Sequence, residues 1–382
     1  MAKLSEIFDL QMGKTPARAN SDYWEDGTND WVSIADLSTY EKYVEGTKEQ
    51  ITNTAVQESG IKAVPPNTVI MSFKLSLGKT AITKKAVYTN EAIMAFIPNG
   101  RYEISPDYLF YLLSDLDWSK GTNRAVMGAT LNKTTLGEID VTIPAMDRQQ
   151  YIAVVLDKVS SLISLRKQQL AKLDELVKAR FVEMFGSEDN VKNWSCCTVA
   201  DVADVYVGVV IKPTQYYADS GIPAFRSLNI GEMHVRNSNW IYFTQEGHQK
   251  NLKSVIQKND VLVVRSGAPG TACVASEKYE GYNAVDIIIA HPDSSKINSS
   301  YLAMFTNMPH GMTQIQEKTG GAAQQHFNVS GYKALKIMLP PIEYQNEFDT
   351  FFGQVEKHRL TIQQSLDKLE VLKKALMQEY FG

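Results

Sequence analysis

Two stretches of the sequence decide the fold. Residues 143–186 read IPAMDRQQYIAVVLDKVSSLISLRKQQLAKLDELVKARFVEMFG, and residues 339–382 read LPPIEYQNEFDTFFGQVEKHRLTIQQSLDKLEVLKKALMQEYFG. They align without a gap at a constant offset of 196 residues. The matched residues include Gln149/Gln345, Val159/Val355, Leu170/Leu366, Leu173/Leu369 and Glu183/Glu379. A chain made of two copies of one unit usually performs one task at two places.

Both stretches have the pattern of a long helix. Apolar residues recur at alternating intervals of three and four, which is the heptad signature of a coiled-coil seam. At 1.5 Å per residue, each helix of roughly 35 residues would be about 50 Å long. Pro144 and Pro340 suit the helix starts, and Gly186 and Gly382 suit the ends. The predicted seam consists of Leu156, Val159, Ile163, Leu170, Leu173 and Val177, and of Phe352, Val355, Ile362, Leu366, Leu369 and Leu376.

The charged seam positions of the two copies are complementary. Where one copy has a charge, the other has an aliphatic residue, as in Arg166/Ile362, Arg180/Leu376, Ile163/Arg359 and Val177/Lys373. This pattern favours two helices that pair with each other, although two ordinary amphipathic helices packed on their own domains remain an alternative. Leu165, Leu176 and Leu372 widen the apolar stripe and leave room for helices of a partner.

The repeat continues upstream of the helices into two globular units. Residues 127–132 match residues 323–328, and each run leads through alternating apolar residues, typical of a strand, into its proline. We therefore predict an α+β protein with two repeated globular β-rich domains, each followed by a long helix, and a coiled coil between the two helices. The predicted domains are 1–142, 143–186 (first helix), 187–338 and 339–382 (second helix).

Composition indicates a cytoplasmic globular protein. The chain is 44% hydrophobic, it has three cysteines without disulfide or zinc spacing, and no apolar run is long enough to cross a bilayer. The net charge of −4 is not typical of a nucleic-acid binder. However, residues 59–90 contain five lysines and no acid, which fits either a solvated surface or a functional patch.

The sequence motifs give no support for an enzyme. Gly13-Lys14-Thr15 and Gly78-Lys79-Thr80 resemble the end of a phosphate-binding loop, but Phe8 and Phe73 occupy the position of the required upstream glycine. No Asn/Asp-Pro-Pro-aromatic motif of an adenine methyltransferase is present, and no His/Cys cluster has metal-ligand spacing. We predict that the chain has no catalytic residues, no metal site and no cofactor of its own.

The whole chain resembles the specificity subunits of type I restriction–modification systems. The most specific parts are the two strand-to-helix junctions. One runs from Thr130-Leu131-Asn132 to Ile143-Pro144, and the other runs from His326-Phe327-Asn328 to Leu339-Pro340-Pro341. The resemblance implies that each globular unit reads one half of a split, asymmetric DNA sequence. Each unit would thus be a target recognition domain, and the two long helices would pack as an antiparallel coiled coil that sets the distance between the half-sites.

The resemblance also implies partners and DNA-contacting residues. Two methyltransferase subunits would dock on this chain and bring S-adenosylmethionine, and translocating nuclease subunits could join that core. Base edges are read by Arg, Lys, Asn, Gln, Ser or Thr, and other basic side chains hold phosphates. The candidates in the first unit are Lys14, Lys74, Lys79, Lys84, Lys85, Arg124, Thr130 and Asn132. Those in the second unit are Lys212, Arg226, Asn229, Arg265, Gln324, Gln325, His326 and Asn328.

Two alternatives remain at this point. The chain could be a combined methyltransferase or nuclease, which the missing catalytic motif opposes. It could also be a coiled-coil scaffold with two β-rich protein-interaction domains and no role in DNA binding.

Overall fold

The computed structural model describes residues 1–74, 76–116, 118, 123–125, 128–319 and 326–382, without the side chains of residues 123–125 and 128–130. The chain divides into two compact units. Unit 1 comprises Met1–Arg166 and Ser365–Gly382, and unit 2 comprises Lys167–Gln364. This division passes through both long helices, whereas the predicted domains separate the helices from the globular parts, and those domain boundaries remain a prediction.

Unit 1 is organised around a four-stranded antiparallel sheet. Its strands, in spatial order, are Phe8–Met12, Ile93–Pro98, Val69–Ser72 and Thr80–Ile82. Alternate residues face opposite sides, so Met71 and Phe96 join one core and Ile70 and Ala95 join another. Helix Pro106–Asp115 covers the first side. Both faces are buried, which explains the nearly continuous apolar runs of these strands.

Shorter elements complete unit 1. A second sheet has the order Glu49–Ile51, Asn29–Val32, Tyr88–Thr89, and its last two strands are parallel. Strand Ala2–Lys3 pairs with Asp140–Val141, and strand Asn123–Ala125 pairs with Gly128–Thr130. The remaining helices are Leu4–Ile7, Ile34–Leu37, Asn53–Ser59 and Lys133–Gly137, with a 3-10 turn at Ser21–Tyr23.

Unit 2 repeats this architecture. Its main sheet has the same order, with strands Ala203–Val207, Ile287–Pro292, Val261–Val264 and Ala272–Val274. The second sheet contains Tyr217–Ala218, Ile241–Phe243, Ile222–Phe225 and Asn283–Ala284. Strand Ser195–Thr198 pairs with Lys336–Leu339, as the chain start pairs with Asp140–Val141 in unit 1.

Unit 2 contains several short helices, including an 11-residue helix that begins two residues after another one ends. Val199–Val202, Gln245–Lys250, Ser299–Asn307 and Val329–Lys333 are helical, and 3-10 turns lie at Pro213–Tyr216, Ser227–Asn229, Leu252–Ser254 and Glu277–Tyr279. The 11-residue helix is Pro309–Thr319, which buries His310 and Ile315. Most of its residues are polar and only a few contact the core, so its apolar face gives a weak signal in the sequence.

The two long helices are Met146–Phe185 and Ile342–Phe381. In unit 1, Leu156 at the start of the first helix shares a core with Met377 near the end of the second. In unit 2, Val177 near the end of the first helix shares a core with Val355 from the first half of the second. The helices are therefore antiparallel in both units, which confirms the predicted coiled coil.

The burial of the long helices follows the predicted seam. All twelve apolar seam residues are buried or half-buried, while Leu165, Leu176 and Leu372 beside the seam are exposed. The seam charges also have partners across the helix pair, because Arg180 bonds Glu347 at 3.0 Å and Arg359 pairs with Asp174.

The helix ends differ in one respect from the prediction. Pro144 and Pro340 lie two residues before the first helical residue rather than in the first turn. Gly186 has a φ of 90°, the left-handed conformation expected of a glycine after a helix end. Among the described residues, none of the helices combines the length and apolar character needed to cross a membrane.

Candidate nucleic-acid interface

Four backbone hydrogen bonds recur at equivalent places in the two units. In unit 1 they join Gly13 to Ile93, Lys14 to Thr89, Asn90 to Val32, and Leu131 to Phe73. In unit 2 they join Gly208 to Ile287, Val209 to Ala284, Val285 to Phe225, and Phe327 to Arg265. In each unit these bonds gather loops from distant parts of the chain at one place, which we call the loop edge. The two loop edges have one backbone plan and different side chains.

Glycine is required where the first loop enters each edge. A Cβ atom on Gly13 would lie 2.2 Å from the carbonyl oxygen of Thr89, and one on Gly208 would lie 2.7 Å from that of Ala284. Both distances are far below any real Cβ contact, and in both cases the obstacle is backbone that cannot move aside. These two glycines therefore fix the loop that carries Lys14 in unit 1 and Val209 in unit 2.

The loop edge of unit 1 presents cationic and neutral polar groups. Lys14 is exposed, and its ammonium group bonds the carbonyl of Ser59. Lys74 is half-buried, with its Nζ 5.2 Å from the ring centre of Phe73. The hydroxyl of Thr89 is buried and has no hydrogen-bond partner among the described residues. A buried polar atom without a partner is uncommon and indicates a place where a ligand or water completes the site.

The loop edge of unit 2 is built around two arginines. Arg226 donates from Nη2 to the carbonyl of Asn239 at 2.7 Å, and within the described chain its buried Nε has no acceptor. Arg265 is 9% exposed, and its guanidinium contacts Asp286, His326 and the carbonyl of Phe327. The edge therefore contains two different arginines. Arg226 has a donor that no described residue accepts, and Arg265 holds three neighbouring groups in place.

Several predicted contacts have other partners in the structure. Lys84 bonds Glu45 at 3.0 Å, and Lys85 bonds Asp30 at 2.6 Å. Burial by itself raises the pKa of Asp30, but Lys85 and Gln50 outweigh it and lower that pKa. The lysine-rich segment is thus partly neutralised by one acid from a strand and one from a loop, and a phosphate would have to compete with them.

Three predicted asparagines have structural roles. Asn132 accepts from the backbone of Thr135 at 2.8 Å, and Asn328 accepts from that of Gly331 at 2.7 Å, so each caps a short helix. Asn229 is fully buried, and its amide bonds the backbone of its own loop. We do not include Asn229 among the proposed DNA contacts, because DNA cannot reach it.

The other predicted residues fall into three groups. Lys79 and Lys212 are exposed, and Lys212 has a φ of 44°, a strained conformation for a residue with a side chain. Gln324 and Gln325 lie outside the described residues. Arg124 and Thr130 lie in described strands, but their side chains are outside the described part of the structure.

Sequence reasoning missed three polar residues near these edges. Ser266 bonds the ring of His326, and Asp286 accepts a hydrogen bond from Arg265. In unit 1, the Arg18 guanidinium lies 3.8 Å from the ring centre of Trp24 and 4.7 Å from that of Trp31, and it also bonds Glu49. Ser266 could have been found from the repeat, because it aligns with Lys74 at the offset of 192 residues that relates Phe73 to Arg265.

The fold and its duplicated loop edge define a recognition protein that is built from two repeated units. Among the described residues, no three His, Cys, Asp or Glu side chains come together as a metal site requires. The model of the type I restriction modification DNA specificity domain matches the chain twice, at residues 1–175 and 192–372. The chain belongs to this family.

Individual relatives agree with the family match. The type I restriction enzyme MjaIX specificity subunit of Methanocaldococcus jannaschii is 23% identical over 401 aligned residues, covering 98% of this chain and 90% of that protein. The EcoR124I/EcoR124II specificity subunit of Escherichia coli is 26% identical over 187 residues, covering 47% of this chain and 45% of that protein.

Solved structures share the fold. The S subunit of a type I restriction–modification system from M. genitalium matches with a TM-score of 0.60 and 11% identity, covering 100% of this chain and 95% of that one. A chain from a structural study of complex assembly in a type I system matches with a TM-score of 0.57 and 17% identity, covering 100% of this chain and 96% of that one. At these identities the likeness concerns the fold alone.

Proposed function

We propose that this chain is the DNA-specificity subunit of a type I restriction–modification complex. Each unit reads one half of a split DNA sequence through its loop edge. The observation that carries this proposal is the duplicated loop edge, in which four matched backbone bonds present different side chains. Because the side chains differ, the two half-sequences differ, and the target is asymmetric rather than palindromic.

The long helices serve as the spacer and the docking frame. Their paired seam is filled, but Leu162 and Leu165 in unit 1 and Leu176 and Leu360 in unit 2 are exposed beside it. Apolar side chains repeated along an exposed helix face mark a contact surface. Methyltransferase subunits dock there, bring S-adenosylmethionine, and methylate one adenine in each half-site. Translocating nuclease subunits could join this core.

The chain itself supplies recognition rather than chemistry. Catalysis resides in the partner subunits, and the complex acts on DNA in the cytoplasm. A net charge of −4 is low for a protein that binds DNA alone, so the partners supply much of the phosphate contact. The alternative, a scaffold with no role in DNA binding, is not favoured because the matched family is a DNA specificity family.

Co-expression with the methyltransferase subunit of the same system tests this proposal. A tagged form of this chain should retain that subunit through purification, and the complex should methylate plasmid DNA at a split sequence. Arg226→Ala should change the preferred sequence of one half-site only, since the half-buried side chain of Arg226 lies on the loop edge of unit 2. Arg236→Ala, at an exposed arginine of the same unit, is the matched control.

The outcomes are distinct. Failure of the methyltransferase subunit to co-purify, or methylation without a split pattern, would contradict the proposal. Loss of specificity in both halves on Arg226→Ala would indicate misfolding rather than a lost contact, and circular dichroism of the variant would show it.

A further inference from the structure

A chain of short hydrogen bonds leads from the interior of unit 2 to its surface at Ser266. Arg265 donates from Nη1 to Asp286 at 2.6 Å and from Nε to the carbonyl of Phe327 at 3.1 Å. Its Nη2 lies 2.6 Å from Nε2 of His326, and Nδ1 of His326 lies 2.6 Å from the hydroxyl oxygen of Ser266. Arg265 is buried, whereas His326 is exposed and Ser266 is half-buried.

The partners of His326 determine which ring nitrogen carries the proton. A guanidinium has only donors, so Nε2 of His326 must accept from Arg265. A neutral imidazole then carries its proton on Nδ1, and this proton is donated to the oxygen of Ser266. A second proton on Nε2 would face an N–H group of Arg265, so the cluster requires the neutral ring.

This arrangement gives the Ser266 hydroxyl a direction. A serine hydroxyl ordinarily both donates and accepts, and for this reason serine discriminates poorly between DNA bases. Here His326 occupies one of the two acceptor positions of the Ser266 oxygen, which leaves the hydroxyl proton and one lone pair and biases the group toward donating. Among the described residues, the hydroxyl makes no other hydrogen bond, so its proton is available to a ligand group.

We propose that Ser266 is a specificity-determining residue that donates a hydrogen bond to an acceptor on a base edge in the half-site read by unit 2. His326 and Arg265 are positioning residues that make this hydroxyl a donor. This inference rests on the proposed function and deepens it. Base-edge acceptors include N7 and O6 of guanine, N7 of adenine and O4 of thymine, so the contact disfavours the amino group of cytosine.

The charge of the cluster favours a base over a phosphate. The positive charge of Arg265 is matched by Asp286, whose side chain is 41% exposed, and His326 is neutral. A cluster without net charge offers little attraction to phosphate, and a partly exposed carboxylate repels it. A base edge carries no net charge and is compatible with this surface.

The same geometry argues against a nucleophilic role for Ser266. A serine nucleophile needs a base that takes its proton, and here Nδ1 of His326 already carries one. The ring is oriented by an arginine instead of a carboxylate. The Ser–His contact is thus a recognition device in a chain whose partners perform the chemistry.

Methylation-motif mapping with the assembled complex tests this inference. Ser266→Ala should relax one base position of one half-site, raising methylation at other bases there roughly three- to tenfold, the worth of one hydrogen bond. Ser266→Thr keeps the hydroxyl and should keep the motif. Ser330→Ala, at an exposed serine of the same unit, is the matched control.

A second pair of variants tests the positioning role. His326→Gln offers a carbonyl toward Arg265 and an amide donor toward Ser266, and it should retain the wild-type preference. His326→Asn is too short to reach both partners and should relax the same base position as Ser266→Ala. If His326→Asn left the base preference unchanged, the positioning role would be wrong.

The possible failures are separable. An unchanged motif on Ser266→Ala would overturn the inference while leaving the proposed function intact. A uniform loss of methylation with no change of motif would indicate a phosphate contact and would also overturn it. Absence of any split motif with the wild-type chain would instead contradict the proposed function.

Discussion

At the residue scale, two matched buried glutamines fasten the starts of the long helices. Gln149 holds the start of the first helix to unit 1, and Gln345 holds the start of the second helix to unit 2. Gln149 is 1% exposed and bonds the backbone of Glu103, Ser105 and Pro144. Gln345 is fully buried and bonds the backbone of Lys296, Asn298 and Pro340 in the same way. The sequence repeat identified these residues as a matched pair, but not their role, because backbone partners have no sequence signature.

Replacement of Gln345 by Ala should destabilise the protein substantially. It would remove three hydrogen bonds between a fully buried side chain and the backbone, and we expect a loss of about 2–4 kcal/mol in the free energy of unfolding. Urea denaturation measures this loss. Gln354→Ala, at an exposed glutamine on the same helix, is the control and should change stability by less than about 0.5 kcal/mol. Equal effects of the two variants would contradict the role given to Gln345.

A pH dependence is expected from Asp30. Its pKa lies below the ordinary value of 3.8, because Lys85 and Gln50 outweigh the effect of burial. A lowered pKa in the folded state contributes stability above the unfolded pKa, and this contribution is lost as the pH falls through the folded value. Asp30→Asn should therefore be less stable than wild type at pH 7, with a difference that narrows below about pH 4. Urea denaturation across this range would contradict the assignment if the difference stayed constant.

At the element scale, the heptad pattern predicted the long helices and their pairing, and the family resemblance implied their antiparallel orientation. Long helices with repeated apolar spacing give a strong local signal, and seam positions where a charge in one copy matches an aliphatic residue in the other, as in Arg180/Leu376, indicated mutual pairing. Helix Pro309–Thr319 was missed because its apolar contacts are few. The loop edges were missed for a different reason, since hydrogen bonds between distant segments depend on the tertiary fold.

Two leucines on the second long helix separate packing from docking. Leu366 is 5% exposed, and Leu366→Ala should cost about 2–4 kcal/mol in the free energy of unfolding because it opens a cavity in the seam. Leu372 is 45% exposed, and Leu372→Ala should leave stability nearly unchanged. Denaturation of the purified chain measures both values. A large loss for Leu372→Ala would show that the exposed stripe is already packed.

At the scale of the whole molecule, one backbone plan is used twice and varied by its side chains. Equivalent positions carry Phe73 in one unit and Arg265 in the other, and Lys74 in one and Ser266 in the other. The repeat in the sequence could predict two globular units and the fold that they share. It could not predict which side chains face outward, since Asn229 is fully buried by its own loop while Arg226, three residues earlier, is only half-buried.

The most direct test of the central claim is the genome-wide adenine methylation pattern of a host carrying the methyltransferase subunit, with and without this chain. We predict a split motif with two different halves that appears only when the chain is present. A palindromic or continuous motif, or a motif that persists when the chain is absent, would contradict the account.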